Sequence, residues 1–547
     1  MKGFLLAATE TGLGFDRVWA MVEPACPLGR EAKGRARPFL PGQEPELEAE
    51  LARVDAARQA WDLAPSLARS LHGRLARLRD LQGSVASAVR GATLDVVELY
   101  ELKRLARLCE EIEDLLARLP WERPPELTLR DLTAIVRLLD PRGTGSPGFF
   151  VGDEFSAALG RVRRRKRACE LSLAEERREQ AAAVARRVGQ EPGAGGELAV
   201  AAADAEGLAA AHRDPDLLAV REAGGHAYFR LRPGPRAREG EELLAHLREH
   251  ERQEEAKVRS RLSRSVARRG PDLLHNLSVL GRVDFLFARA RLAREIDGRR
   301  PVLRPPGEGL AIADGRHPVV EASLKGTGRR FTPLTVELAP GAAVLTGPNM
   351  GGKTVALRTV GLAVAMAQMG LLVPGRLAWS PVAFIFYGGQ EEESRPGLSA
   401  FAMEVTRLRE PLARRDEGGL LLLDEFARGT NPREGRALSA AVLRRLAGSP
   451  SQCCLATHHS GVAELVGIPH WQTRGLRGEA LADVHPAAGA AWLYEHMDYR
   501  LERVSPGTRA PREALLVARL LGLDEEVVAL AETYLQARTD EGEAGAR

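Results

Sequence analysis

Apolar residues recur every third or fourth position through residues 45–140, as in "DVVELYELKRLARLCEEIEDLLARL", and that spacing predicts packed helices. Pro and Gly then crowd "DPRGTGSPGFFVGDEF", residues 140–155, which predicts a loop and a boundary. Two stretches of strong helix formers follow, residues 158–188 and 239–269, each with a narrow apolar stripe such as Val258, Leu262 and Val266 at steps of four. Stripes of that width suit two long helices packed as a pair. Between them Gly and Pro break the helical pattern and leave short strand candidates, so the expected arrangement is an outgoing arm, a small tip and a returning arm. From about residue 308 the pattern changes to apolar runs bounded by glycine. "GAAVLTGPNMGGKTVALRTVGLAVAMAQ" predicts strand, glycine loop and helix, "GGLLLLDEFARG" a buried strand ending in carboxylates, and "CCLATHH" a further short strand. Elements in this order build a parallel α/β sheet.

Composition narrows the class. With 547 residues and 44% apolar content the chain can bury several cores. A formal charge of +4 with both signs abundant does not by itself argue for a nucleic-acid partner, so local patches have to make that case. Cys26, Cys109, Cys169, Cys453 and Cys454 are scattered without C-x-x-C spacing, which disfavours a disulfide framework and a zinc site and suits a reducing cytoplasm. The apolar run in "MKGFLLAATE" is too short for a signal peptide, and the longest uncharged apolar stretch, Thr359 to Val373, is too short to span a bilayer. The expectation is a cytoplasmic protein with no membrane partner.

The glycine loop carries the chemistry. Gly347, Pro348, Asn349, Met350, Gly351, Gly352, Lys353 and Thr354 fit the phosphate-loop pattern G-x-x-x-x-G-K-[ST] between a predicted strand and a predicted helix. Backbone N–H groups at a helix N-terminus face phosphates there, and the glycines allow close approach. Lys353 then neutralises the terminal phosphates of ATP, and the Thr354 hydroxyl is a ligand for Mg²⁺. About seventy residues downstream, Asp424 and Glu425 end the leucine strand. Asp424 is placed to hold Mg²⁺ through water and Glu425 to orient or deprotonate the attacking water. His458, in "ATHH", sits where a γ-phosphate contact belongs, although a single strand-end histidine is more often structural.

"TGPNMGGKT", "LLLDEFARGTNPREGRALSAAVL", "LATHHSGVAEL" and the upstream "GRHPVVE", residues 315–321, together resemble the MutS family of DNA mismatch repair ATPases, a branch of the ABC ATPase class. Residues 14–39 look like the start of that family's core domain, and "DFLFARARLAREIDGRRPVL" looks like its lever helix, so the resemblance covers nearly the whole chain. The fold it implies is a C-terminal α/β P-loop domain of ABC type, preceded by a mostly α-helical core and lever domain with long helical arms. The corresponding divisions are a helical core at 1–155, arms with a clamp-like tip at 156–270, and a lever helix and connector at 271–307. The ATPase domain follows at 308–500, with a helical dimerisation segment and tail at 501–547.

The resemblance also implies site residues and partners. Two copies would meet head to head, with the signature "GLSAFAMEV", at Leu398, Ser399 and Phe401, completing the other copy's ATP site through Ser399. Phe331 matches the aromatic position that stacks on adenine, and an ordinary buried phenylalanine is the equal alternative. The family's mismatch-reading domain and F-x-E wedge do not occur in the sequence, and no room remains for the nuclease domain of the second bacterial MutS branch, so neither direct mismatch recognition nor DNA cutting is expected. Gln390 stands where an aspartate is usual.

What the dimer encloses stays open between readings. DNA is favoured by six basic residues among the seven from Arg161 to Arg167 and by Arg259, Arg261, Arg264, Arg268 and Arg269, against a solvated helix face diluted by glutamates. A protein partner is the second reading. "LDPRGTGSPGFF" and "EHMDYRL" resemble segments of the ATPase subunit that reactivates cobalamin-dependent lysine or ornithine aminomutases, which implies an aminomutase or a companion subunit. An ABC transporter subunit or chromosome-organising ATPase fits poorly, because the signature is not L-S-G-G-Q.

Overall fold

The chain is described here by a computed structural model that covers residues 3–6, 8–146, 148–193, 195–348, 350–389, 400–476, 489–505 and 514–544. Contacts divide it into two units, one of residues 1–77, 114–128 and 279–547, the other of residues 78–113 and 129–278.

In the second unit the two charged stretches form helices α1, Ala157–Val188, and α3, Pro235–Ala267. The Ser156 hydroxyl caps α1 by accepting from the Leu159 N–H, and Gly189 ends it in the left-handed region with φ 79°. Ion pairs Arg163–Glu255, Lys166–Glu251 and Arg177–Glu241 link the helices in descending order, so they run antiparallel. Their narrow apolar stripe, including Val258, Leu262 and Val266, is buried. Between them lie strands β1, Glu197–Ala201, β2, Leu217–Ala223, and β3, His226–Leu231, with the short helix α2, Ala205–Arg213, after β1. The strands form an antiparallel sheet of order β1-β3-β2, closed by a small core of Val184, Val188, Leu198, Val200, Leu217 and Phe229.

The first unit contains the α/β region. A two-stranded ribbon pairs β4, Gly298–Arg299, with β9, Val373–Pro374. A four-stranded sheet of order β5-β10-β6-β7 combines β5, Val302–Leu303, β6, Leu310–Gly315, β7, Leu334–Leu338, and β10, Arg376–Trp379. The main sheet has six strands: β8, Gly341–Thr346, β11, Ile385–Gly388, β12, Leu420–Asp424, β13, Gln452–Ala456, β14, His470–Leu476, and β15, Met497–Arg503. Their order is β11-β12-β13-β8-β14-β15, parallel throughout except for β15.

Parallel strands covered on both faces must be apolar along their whole length, and all six residues of β8 and Leu420 to Leu423 of β12 are buried. Each of those leucines contributes about 1.5–3 kcal/mol by burial, which anchors the polar residue at the strand end. Helix α4, Lys353–Gln368, packs against this sheet and is buried on nearly every side from Ala356 onward. The uncharged stretch beginning at Thr359 is thus the interior helix of a sheet domain. No helix among the described residues is long and apolar enough to cross a membrane. Helix α5, Ala400–Ala413, and helix α6, Pro432–Ala447, complete the layer, with Leu443 and Leu446 of α6 in the core beside Leu421, Leu423 and Leu455.

Candidate nucleotide site

The parallel strands β8, β12 and β13 end on one edge of the sheet, where α/β domains bind their ligands. After Thr346 the backbone turns through the glycine loop into α4. Gly347 has φ 144° and a Cβ there would lie 1.9 Å from the Thr473 Oγ1, so only glycine fits without displacing β14. Gly352, at φ 84°, is the N-cap of α4. Met350 is a non-glycine at φ 69°, half exposed at the loop tip, a conformation that costs on the order of 1–3 kcal/mol. Asn349 lies outside the described residues.

Lys353 opens α4 and is 5% exposed. Its ammonium donates to the carbonyl oxygens of Gly347 at 2.9 Å and Pro348 at 3.0 Å, so it spans the loop it belongs to. Burial pulls its pKa below the usual lysine range, and the carboxylates of Glu425 and Asp424 oppose that by favouring the charged form.

At the end of β12 the Asp424 carboxyl is raised above the ordinary aspartate range by burial, opposed by the Thr354 and Tyr387 hydroxyls beside it. Tyr387 donates to Asp424 Oδ2 at 3.2 Å and accepts from Arg358 Nε at 3.1 Å. Asp424 Oδ1 is buried and has no hydrogen-bond partner. An unpaired carboxylate oxygen in the interior is costly, and a cation beside it removes the cost. Among the described residues no cluster of three or more His, Cys, Asp or Glu is arranged for a metal. One carboxylate and one hydroxyl are the sparse donor set that Mg²⁺ uses when phosphates complete its shell, so Asp424 and Thr354 fit that ion.

Glu425 follows with φ 56° and Ala427 with φ 63°, two left-handed non-glycine residues within three positions. Strain of this kind persists only where surroundings impose it, and here each N–H is tied. Glu425 N–H donates to Ala456 O at 2.9 Å, and Ala427 N–H to Glu404 Oε2 at 2.9 Å. The twist turns the Glu425 side chain toward Arg428, which bonds its Oε2 at 2.7 Å.

His458 is exposed just past β13, its ring 4.4 Å from that of His459, and burial lowers the pKa of His459. Phe331 is half-buried in the loop before β7, two residues after Arg329, whose guanidinium lies 3.9 Å above the Tyr494 ring. Leu398, Ser399 and Gln390 fall outside the described residues. All five cysteines are unbridged.

Several residues at the site carry no motif and were not read from the sequence. Tyr387, Arg358 and Thr473 belong to this group, and the ring of Tyr499, inside "EHMDYRL", would meet a Cβ on Gly352 at 3.0 Å. The position of Tyr387 beside Leu422 in the β11–β12 register is the only signal for it, and register is a tertiary property.

A strand, a glycine loop capped by lysine, and an acidic end on β12, the next strand but one, define a P-loop nucleotide-binding domain. Residues 343–538 match the family described as MutS domain V. Relatives include proteins named Endonuclease MutS2. That of Halalkalibacterium halodurans is 32% identical over 290 residues, covering 52% of this chain and 34% of the relative. That of Halothermothrix orenii is 36% identical over 228 residues, covering 40% of this chain and 27% of the relative. That of Thermomicrobium roseum is 34% identical over 287 residues, covering 50% and 34%. The match thus spans about a third of the length of these curated relatives. Residues 343–538 are thus similar to domain V of the MutS family.

Proposed function

We propose that the chain is a DNA-acting ATPase in which domain V binds ATP with Mg²⁺ and uses hydrolysis to open and close a pair of subunits. The observation that carries this reading is the buried, unpartnered Asp424 Oδ1 beside the Thr354 hydroxyl and the Lys353 loop. When bound, Mg²⁺ neutralises charge on the phosphates. The chain's own residues do the rest. The loop from Gly347 to Thr354 cradles the phosphates with its backbone N–H groups, Pro348 having none to give, and Lys353 exchanges the carbonyls of Gly347 and Pro348 for phosphate oxygens. Glu425 orients and deprotonates water once it swings from Arg428, His458 contacts the γ-phosphate, and Phe331 stacks on the base. Ser399 of a second copy completes the site at the interface.

DNA as the partner of the arms rests on the family and on arginines that the fold leaves available. Arg163 is consumed by Asp153, Glu251 and Glu255, and Lys166 by Glu251, whereas Arg164, Arg165 and Arg167 enter no ion pair among the described residues. Arg259 and Arg264 also line an open hollow of about 550 Å³. Phosphate contacts of this kind give salt-dependent binding.

The test is steady-state ATPase with and without duplex and branched DNA over a range of salt. Stimulation that falls with salt, and that is lost on neutralising Arg164 and Arg165, is the expected result. Hydrolysis indifferent to DNA, with no DNA binding at low salt, removes the DNA part of the proposal; no nucleotide binding at all removes the ATPase part.

A further inference from the structure

We propose that Tyr387 is a positioning residue for the nucleotide's metal: its hydroxyl, steered by Arg358, occupies Asp424 Oδ2 and leaves Oδ1 alone to face the ion. This rests on the Mg²⁺-ATP reading and assigns a role to two residues outside every motif of the site.

The direction of the hydrogen bonds follows from donor counting. A phenol has one proton to give, and a guanidinium can only donate. Since Arg358 Nε donates to the Tyr387 oxygen at 3.1 Å, the phenolic proton is directed to Asp424 Oδ2 at 3.2 Å. One carboxylate oxygen is therefore engaged by a neutral donor and the other, Oδ1, is buried and unpartnered. A carboxylate held in this way can offer a single oxygen in a single orientation, which suits an ion that demands near-octahedral geometry.

The ring cannot drift from that position. Tyr387 is 7% exposed, and its backbone N–H donates to the Thr9 Oγ1 at 2.9 Å, with Thr9 fully buried. A Cβ on Gly12 would sit 2.6 Å from the ring, so the segment before it closes over the tyrosine because that position has no side chain. From the other side Arg358 projects from α4, the same helix whose first turn carries Lys353 and Thr354. One helix thus presents the phosphate ligand, the metal hydroxyl and the group that aims the aspartate's partner.

Tyr387→Phe keeps the ring and removes only the hydroxyl. The measurements are binding of a fluorescent ATP analogue as Mg²⁺ is titrated, the same binding in EDTA, Mn²⁺ binding by electron paramagnetic resonance in the presence of nucleotide, and thermal unfolding. We expect the Mg²⁺ concentration for half-saturation to rise about 10-fold or more, as loss of an outer-shell partner does at other metal sites. Mn²⁺ affinity falls in parallel, while metal-free nucleotide affinity and the melting temperature stay near wild type; a purely structural role would move the last two instead. Arg358→Gln, which leaves the tyrosine in place, shifts the Mg²⁺ requirement in the same direction by less and serves if the phenylalanine variant does not fold. Unchanged Mg²⁺ and Mn²⁺ dependence in the variant that folds overturns the proposal. If wild type binds no nucleotide, or Lys353→Ala binds it as well as wild type, the underlying ATP reading fails; normal wild-type binding with an unaffected Tyr387→Phe refutes the positioning role alone.

Discussion

Along helices α1 and α3, Arg163 meets Asp153, Glu251 and Glu255 and Lys166 shares Glu251, whereas at the end of β12 Asp424 keeps one oxygen buried with no partner and Lys353 settles for carbonyls of its own loop. The first region matches charge with charge at a partly wet helix seam, where the pairs define how the helices align. The second leaves charge unmatched in a dry place and adds backbone strain at Met350, Glu425 and Ala427. The paired charges of the helix seam hold scaffold together, and the buried unpaired oxygen at the end of β12 suits a cation.

The contrast can be broken most strongly at the nucleotide site. Lys353→Ala removes the only ammonium in the loop and should weaken ATP-analogue binding by about 100-fold or more, read by fluorescence titration. Glu425→Gln should keep that binding and slow hydrolysis by about 10²–10⁴, read by single-turnover assay. Equal loss of binding in both variants would show that the two groups do not divide the work.

A second effect sits behind the site. His317 is 2% exposed, its Nε2 bonds the Leu13 carbonyl oxygen at 3.1 Å and its Nδ1 accepts from Val320 N–H, so the neutral ring fits and burial pushes its pKa down to about 4. Because the folded pKa lies below the unfolded value near 6.5, the stabilisation is complete above pH 6.5 and is lost as pH falls toward 4. The loss is on the order of 3 kcal/mol, and His317→Gln should flatten the profile in denaturant unfolding at several pH values.

Gly347→Ala should destabilise the first unit by about 1–3 kcal/mol, since its Cβ meets Thr473 Oγ1; adding Thr473→Ala should restore part of the melting temperature by clearing that oxygen. The smallest effect belongs to the arms. Arg163→Gln should cost about 1 kcal/mol in stability through its partly exposed pairs, while Arg164→Gln with Arg165→Gln should leave stability alone and lower the salt slope of DNA binding. If the two sets behave alike, pairing does not separate scaffold from contact surface in the arms.

Much of the α/β region could be read in advance because its signals are local. "VLTGPNMGGKT" becomes the end of β8, the loop and the start of α4, and the leucine run becomes β12 with Asp424 at its end. The stripe of Val258, Leu262 and Val266 is buried as its spacing predicts. Other features had no local signature. Arg163 reads like its neighbours in a basic run, and only the antiparallel packing of α1 on α3 sets it against Glu251 and Glu255.

The sequence by itself determined which segments become strand, loop and helix and which residue types stand at the loop and strand ends, because periodicity and glycine placement act over a few residues. Only the tertiary structure decided that Tyr387 and Arg358 reach Asp424, that Thr473 closes on Gly347, and that one oxygen of Asp424 is left without a partner. Those facts depend on the strand order and register that bring Tyr387 to Asp424, 37 positions further along the chain, and on a burial that no single segment carries alone.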